Sequence, residues 1–102
     1  MLQQMDAVLL ERERIVLTGS AYAELVVWLT PQPQRGSRHR YKYRLALIVE
    51  GDCVLRYDNE AGKGDHRHLG SRELGYDFSD LDTLRADFWK DVETWLKQHN
   101  AS

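Results

Sequence analysis

Between Arg56 and His68 the chain sets out a guanidinium, a carboxylate, an amide and two imidazoles: Arg56, Asp58, Asn59, His66 and His68. Histidines at i and i+2 of an extended segment project to the same side, which suits two metal ligands or an acid and a base working on one phosphate. Asp58 could orient one imidazole, while Arg44, Arg56 or Lys42 could stabilise negative charge developing on phosphorus. Those are the groups needed to cleave RNA without a metal. One deprotonates the 2'-hydroxyl, another protonates the leaving oxygen, and a cation holds the phosphoryl group. Spacing alone leaves three readings open: a solvated basic loop, catalysis or RNA binding, and a metal pair completed by Asp58 or Asp65 as third ligand. No phosphate-binding Gly-rich loop, nucleotide fingerprint or nucleophile elbow occurs, and no cofactor is expected.

Upstream lies a second chemical signal. Arg38, His39, Arg40, Tyr41, Lys42, Tyr43 and Arg44 interleave cations with aromatic rings, a composition suited to phosphates and stacked bases. Alternation turns both tyrosines into the core and leaves the cations outside, free for RNA or an acidic partner. Arg38, Arg40, Lys42, Arg67 and Asn59 are the residues expected to contact nucleic acid, with His66, His68, Asp58, Arg56 and Arg44 as the reacting centre.

The rest of the chain must position these groups. Its 102 residues are 42% hydrophobic and 29% charged, the composition of one globular domain spanning 1–102. Such a length buries only a modest core, so stabilisation by a partner or by a homodimer fits. The net charge of -2 gives no overall electrostatic pull on nucleic acid, but the charges are segregated. Arg35 to Arg44 carries five Lys or Arg side chains and no acid, whereas Glu73 to Glu93 carries seven acids against Arg85 and Lys90. One side of the molecule should be basic and another acidic. No apolar stretch approaches the roughly 20 residues that span a bilayer, and Met1 to Asp6 does not open like a secretory signal, so a cytoplasmic protein is expected. Cys53 has no second cysteine to pair with and reads as core.

Periodicity supplies the elements. Ala7 to Leu17 has apolar ends around Glu11, Arg12, Glu13 and Arg14, the pattern of an edge strand or of a strand with a frayed entry. Ala21 to Leu29 is rich in β-branched and aromatic residues and reads as a buried strand. In Tyr41 to Val49 the residues Tyr41, Tyr43, Leu45, Leu47 and Val49 alternate with Lys42, Arg44, Ala46 and Ile48, and Cys53 to Asn59 resumes the alternation. These two runs predict a hairpin in which odd residues face odd, through an odd-length connection with a bulge. Lys42, Arg44, Arg56 and Asp58 then share a face, with Asp58 opposite Lys42 or Arg44, and Cys53 lies on the other face. Glu60 to Gly70 reads as a loop turning strand-like at Asp65 to Leu69, and Arg72 to Phe78 as a last short strand. Ser79 and Asp82 have the spacing of a capping box. Leu81, Leu84, Phe88, Val92, Trp95 and Leu96 recur at helical spacing behind it. The fold class is therefore α+β: an antiparallel β-sheet of four to five strands with a C-terminal amphipathic helix packed across it.

Three ordered motifs, Tyr41-Lys42-Tyr43-Arg44-Leu45, Arg56-Tyr57-Asp58-Asn59-Glu60 and Gly62-Lys63-Gly64-Asp65-His66-Arg67-His68, resemble the TumE toxin family. The likeness runs from about Ala7 to Val92. It implies the toxin half of a two-gene toxin–antitoxin module whose partner is a winged helix-turn-helix DNA-binding antitoxin. Many relatives carry a longer histidine- and proline-rich segment where this chain has only Glu60 to Asp65. Joined to the residue chemistry, the resemblance leads to an expected toxin acting on RNA as a metal-independent ribonuclease. The alternatives are a non-enzymatic RNA- or protein-binding module and a metal-dependent nuclease using the His-x-His pair.

Overall fold

A computed structural model describes residues 6–99, and the reading of Met1 to Asp6 lies largely outside them. Six antiparallel strands follow one another in a meander, each pairing with the next in sequence: β1 Val8–Val16, β2 Ala21–Leu29, β3 Tyr41–Val49, β4 Asp52–Glu60, β5 Gly64–Leu69 and β6 Arg72–Gly75. Helix α1, Leu81–Gln98, then packs on one face of the sheet. The sheet holds more strands than the four to five expected. Gly70, in the left-handed conformation at φ 63, turns the polar run back on itself, and Arg67 pairs with Leu74 across the resulting hairpin.

The core has a single cause, the period-two alternation of β2, β3 and β4. Ala23, Leu25 and Val27 of β2, Tyr43, Leu45 and Leu47 of β3, and Leu55 and Tyr57 of β4 face Leu84, Phe88 and Val92 of the helix. In the register Leu45 stands opposite Leu25 on one side and Tyr57 on the other, odd against odd as the parity of the pattern requires. The ends of the helix follow local chemistry. Its cap is Asp80, one residue later than the Ser79 expected, because the Asp80 carboxylate reaches both the Thr83 N–H at 2.8 Å and the Thr83 hydroxyl at 3.2 Å. Those bonds hold the Asp80 carboxyl below its ordinary range. The cap is thus complete at neutral pH and is lost as the pH falls through that lowered value.

The β3–β4 connection departs from the odd-length loop. Glu50 and Gly51 form a two-residue turn with φ 50 and 84, the conformation of a type I′ hairpin, and the odd residue enters instead as a bulge. Leu47 pairs with Leu55 while Ile48 pairs with Cys53, so Val54 is the extra residue. The bulge reverses the facing of what precedes it. Cys53 therefore shares the face of Ile48 rather than the core face, and it is exposed, which corrects both expectations for that cysteine.

At the far end of the same pair, Asn59 replaces a missing stretch of ladder. Its side chain accepts from the Tyr43 N–H at 3.1 Å and donates to the Tyr41 carbonyl at 2.7 Å, and the residue is only 2% exposed. Changing Asn59 to Ala leaves a buried donor and acceptor unmatched. The change should lower unfolding free energy by about 2 kcal/mol, read as a lower urea midpoint with an unchanged m-value.

Candidate functional site

The helix covers one face of the sheet, and the other is open. Two cross-strand rows run over the open face. The first follows the register Arg12, Val26, Arg44, Asp58 and His66, and the second Arg14, Glu24, Ala46, Arg56, His68 and Glu73. Residues directly opposite in an antiparallel ladder stand roughly 4.5–5.5 Å apart at Cβ. The register alone thus gathers Arg44, Arg56, Asp58, His66 and His68 on one surface, as the alternation in β3 and β4 predicts.

Asp58 sits at the centre, 17% exposed at its side chain. Arg56 Nε lies 2.9 Å from its Oδ2, but that N–H is not aimed at the oxygen, so the contact is an ion pair rather than an aligned hydrogen bond. His68 Nε2 lies 3.8 Å from Asp58 Oδ1 and 3.5 Å from Glu73 Oε2. The imidazole therefore stands between two carboxylates, with neither contact short enough for a hydrogen bond of good geometry. His66 stands directly across the ladder from Asp58, and its ring bonds backwards, Nδ1 to the Gly64 carbonyl at 3.2 Å. A carbonyl only accepts, so Nδ1 carries the hydrogen, and in the neutral ring Nε2 then keeps a lone pair. Arg44 reaches Glu24 at 3.6 Å and stays largely exposed. Ala46, fully buried between Glu24 and Arg56 in its row, forms the floor.

Beside this cluster an open groove of about 490 Å³ is lined by Gln34, Lys42, Arg44, Asp58 and Glu60. Lys42 belongs to the open face and is exposed, with Nζ 3.5 Å from the Asn59 carbonyl. Arg38 and Arg40 are exposed on the β2–β3 loop, where Arg40 Nε donates to the Thr30 carbonyl at 2.9 Å. That loop docks on the β4–β5 turn through a Gly62 N–H to Arg35 carbonyl bond. Gly62 sits there at φ 84, the left-handed conformation that favours glycine.

Two of the residues expected to contact nucleic acid are placed elsewhere. Asn59 is buried with its amide committed to β3. Arg67 points to the helix side, where its Nη1 lies 3.3 Å from Asp91 and 3.4 Å from the Tyr57 hydroxyl. Arg67 belongs to a polar seam on the helix side of the sheet that sequence reasoning missed. Tyr57 donates to Asp91, Tyr76 donates to Asp87 at 2.6 Å, and Tyr43 donates to Asp65 at 2.6 Å. Burial first, and then the carboxylate each one faces, pushes all three phenols well above the ordinary tyrosine range, so they remain donors. His39 completes the seam. It accepts from the Tyr41 N–H, bonds Asp65 Oδ2 at 2.9 Å and stacks on Phe78 with ring centres 4.0 Å apart. No short-range spacing announces these pairs, because every acid–phenol contact joins distant segments. Glu73 and Glu24 were likewise overlooked, although Glu73 follows once Leu69 and Arg72 are paired across a tight turn.

Among the described residues no three His, Cys, Asp or Glu side chains come together to hold a metal ion, and no helix is long and apolar enough to cross a membrane. A family model described as toxin TumE matches residues 6–96. The chain belongs to the TumE toxin family, and with that membership comes the role of toxin in a toxin–antitoxin pair with a cognate antitoxin. No curated protein and no solved structure matches it.

The two faces predict different outcomes for similar changes. Arg67→Met removes a partner of Asp91 and Tyr57 in the seam and should lower unfolding free energy by about 1–2 kcal/mol. Arg56→Met, on the open face, should shift stability by less than about 0.5 kcal/mol. Urea unfolding of the two variants side by side measures the difference, and equal losses would contradict the division.

Proposed function

We propose that this toxin cleaves RNA on the open face of its sheet, in the cytoplasm, by acid–base chemistry without a metal. The observation supporting the reading is the register that sets His66, His68, Asp58, Arg56 and Arg44 side by side on a surface the helix leaves uncovered. His66, with its lone pair on Nε2, takes the proton from the ribose 2'-hydroxyl. The freed oxygen attacks phosphorus, the bond to the 5'-oxygen breaks, and His68 supplies the proton to that leaving oxygen. Asp58 and Glu73 orient the His68 ring. Arg44 and Arg56 stabilise the charge on the non-bridging oxygens, and the low exposure around Asp58 strengthens that attraction.

Lys42, Arg40 and Arg38 extend the cationic surface from the groove towards the β2–β3 loop, a path suited to the flanking phosphates of a single strand. The antitoxin in this reading is of the winged helix-turn-helix DNA-binding type. It holds the toxin inactive until it is lost.

Expression of the chain without its antitoxin tests the reading. Wild type should arrest growth and cleave purified cellular RNA in the presence of chelator. His66→Ala with His68→Ala should relieve the arrest and slow cleavage by about 10²–10⁴-fold, with the urea midpoint retained. Arrest that persists in the double variant would remove this site. RNA retained by wild type but left intact would indicate sequestration instead.

A further inference from the structure

The two edges of the sheet differ. β6 is four residues long, and the chain leaves it directly, with the Tyr76 N–H returned to the Asp65 carbonyl. β1 is nine residues long and, among the described residues, pairs with β2 alone, which leaves its outer row of backbone donors and acceptors open. A bulge at Leu10 interrupts the register, after which Glu11 to Val16 runs regularly. Its side chains are exposed to an unusual degree for their type, Val8 at 54% and Val16 at 73%.

The charges on β1 are sorted by face. Glu11 and Glu13 stand opposite Val27 and Leu25 and so lie on the helix side, while Arg12 and Arg14 stand opposite Val26 and Glu24 and lie on the open side. Glu11 is held by Arg85 at 2.7 Å, and Arg14 sits over the Tyr22 ring at 3.9 Å. Arg12 and Glu13, between them, form no ion pair with an opposite charge among the described residues. The hydrogen bond and the charge of Glu11 push the Glu13 carboxyl above its ordinary range, outweighing the opposing charge of Arg85.

This sorting opposes a second copy. Two β1 strands joined antiparallel about a two-fold axis keep each face on its own side, so across Glu11 to Val16 acids would meet acids or Ile15, and arginines would meet arginines or Val16, never an opposite charge. A different strand fits, one whose charges alternate in the opposite sense. We propose that β1 receives an extended segment of the cognate antitoxin as a seventh strand. That segment sets Lys or Arg opposite Glu11 and Glu13, Asp or Glu opposite Arg12 and Arg14, and an apolar residue against Val16. Backbone bonds supply the attachment and the alternation supplies the choice of partner. The proposal rests on the family's pairing of toxin with antitoxin and is independent of RNA cleavage.

Hydrogen exchange of the full chain, alone and with the antitoxin encoded beside it, tests this. The amides of Glu11 to Val16 should slow at least tenfold on addition of the antitoxin. Glu13→Lys should weaken the complex by roughly tenfold while the variant expressed alone still arrests growth. Arg12→Glu provides the same reversal on the other face if the first variant folds poorly. Unchanged exchange in β1, wild-type affinity in both reversals, or β1 amides already protected in a self-associated toxin would overturn the proposal. A wild-type chain that fails to arrest growth would instead count against the toxin role and leave the exchange result to stand on its own.

Discussion

Tyr43, Leu45, Leu47, Leu55 and Tyr57 reach the helix together only if the odd residues of β3 stand opposite the odd residues of β4, and everything else in the molecule inherits that pairing. A slip of one residue would bring Lys42, Arg44, Arg56 and Asp58 under Phe88 and expose the aromatic core. Burying those charges unpaired costs far more than a hairpin can recover. The hydrophobic requirement on one face therefore also determines which charged groups meet on the other. The cluster of Arg44, Arg56, Asp58, His66 and His68 needs no dedicated scaffold, being the reverse side of the core.

Much of this was legible because alternation is a local property. Tyr41 to Val49 announces its faces residue by residue, and Leu84, Phe88 and Val92 announce the helix stripe in the same way. The bulge at Val54 was not legible, because either strand can absorb an extra residue and nothing in Cys53-Val54-Leu55 marks which. The error in the facing of Cys53 follows from it. Glu60 to Gly70 has few apolar residues to mark a strand, so the expected strand-like stretch at Asp65 to Leu69 falls one residue short of β5, whose ladder β4 and β6 supply from both sides. Asn59 and Arg67 looked like surface groups by type. Their actual partners, the backbone of β3 and Asp91, are set by tertiary contact alone.

Both faces hold arginines and carboxylates, but the surroundings separate their uses. On the helix side, Arg67 and Asp91 meet the Tyr57 hydroxyl and tie α1 to the sheet, and Asp65 meets both Tyr43 and His39 and ties β5 to β3 and the loop before it. On the open face the contacts of His68 are long. Under the proposed function such looseness suits binding, since a side chain already bonded at good geometry must break that bond before it can bind.

The turn between β4 and β5 lies at the margin of the groove. Pairing there begins with Glu60 and Gly64, leaving Ala61 to Lys63 outside the ladder. Residues added within that tip would lengthen an arm over the groove without displacing any rung behind it. An insertion there would thus change the reach of this surface while leaving the register that sets His66 and His68 beside Asp58 as it is.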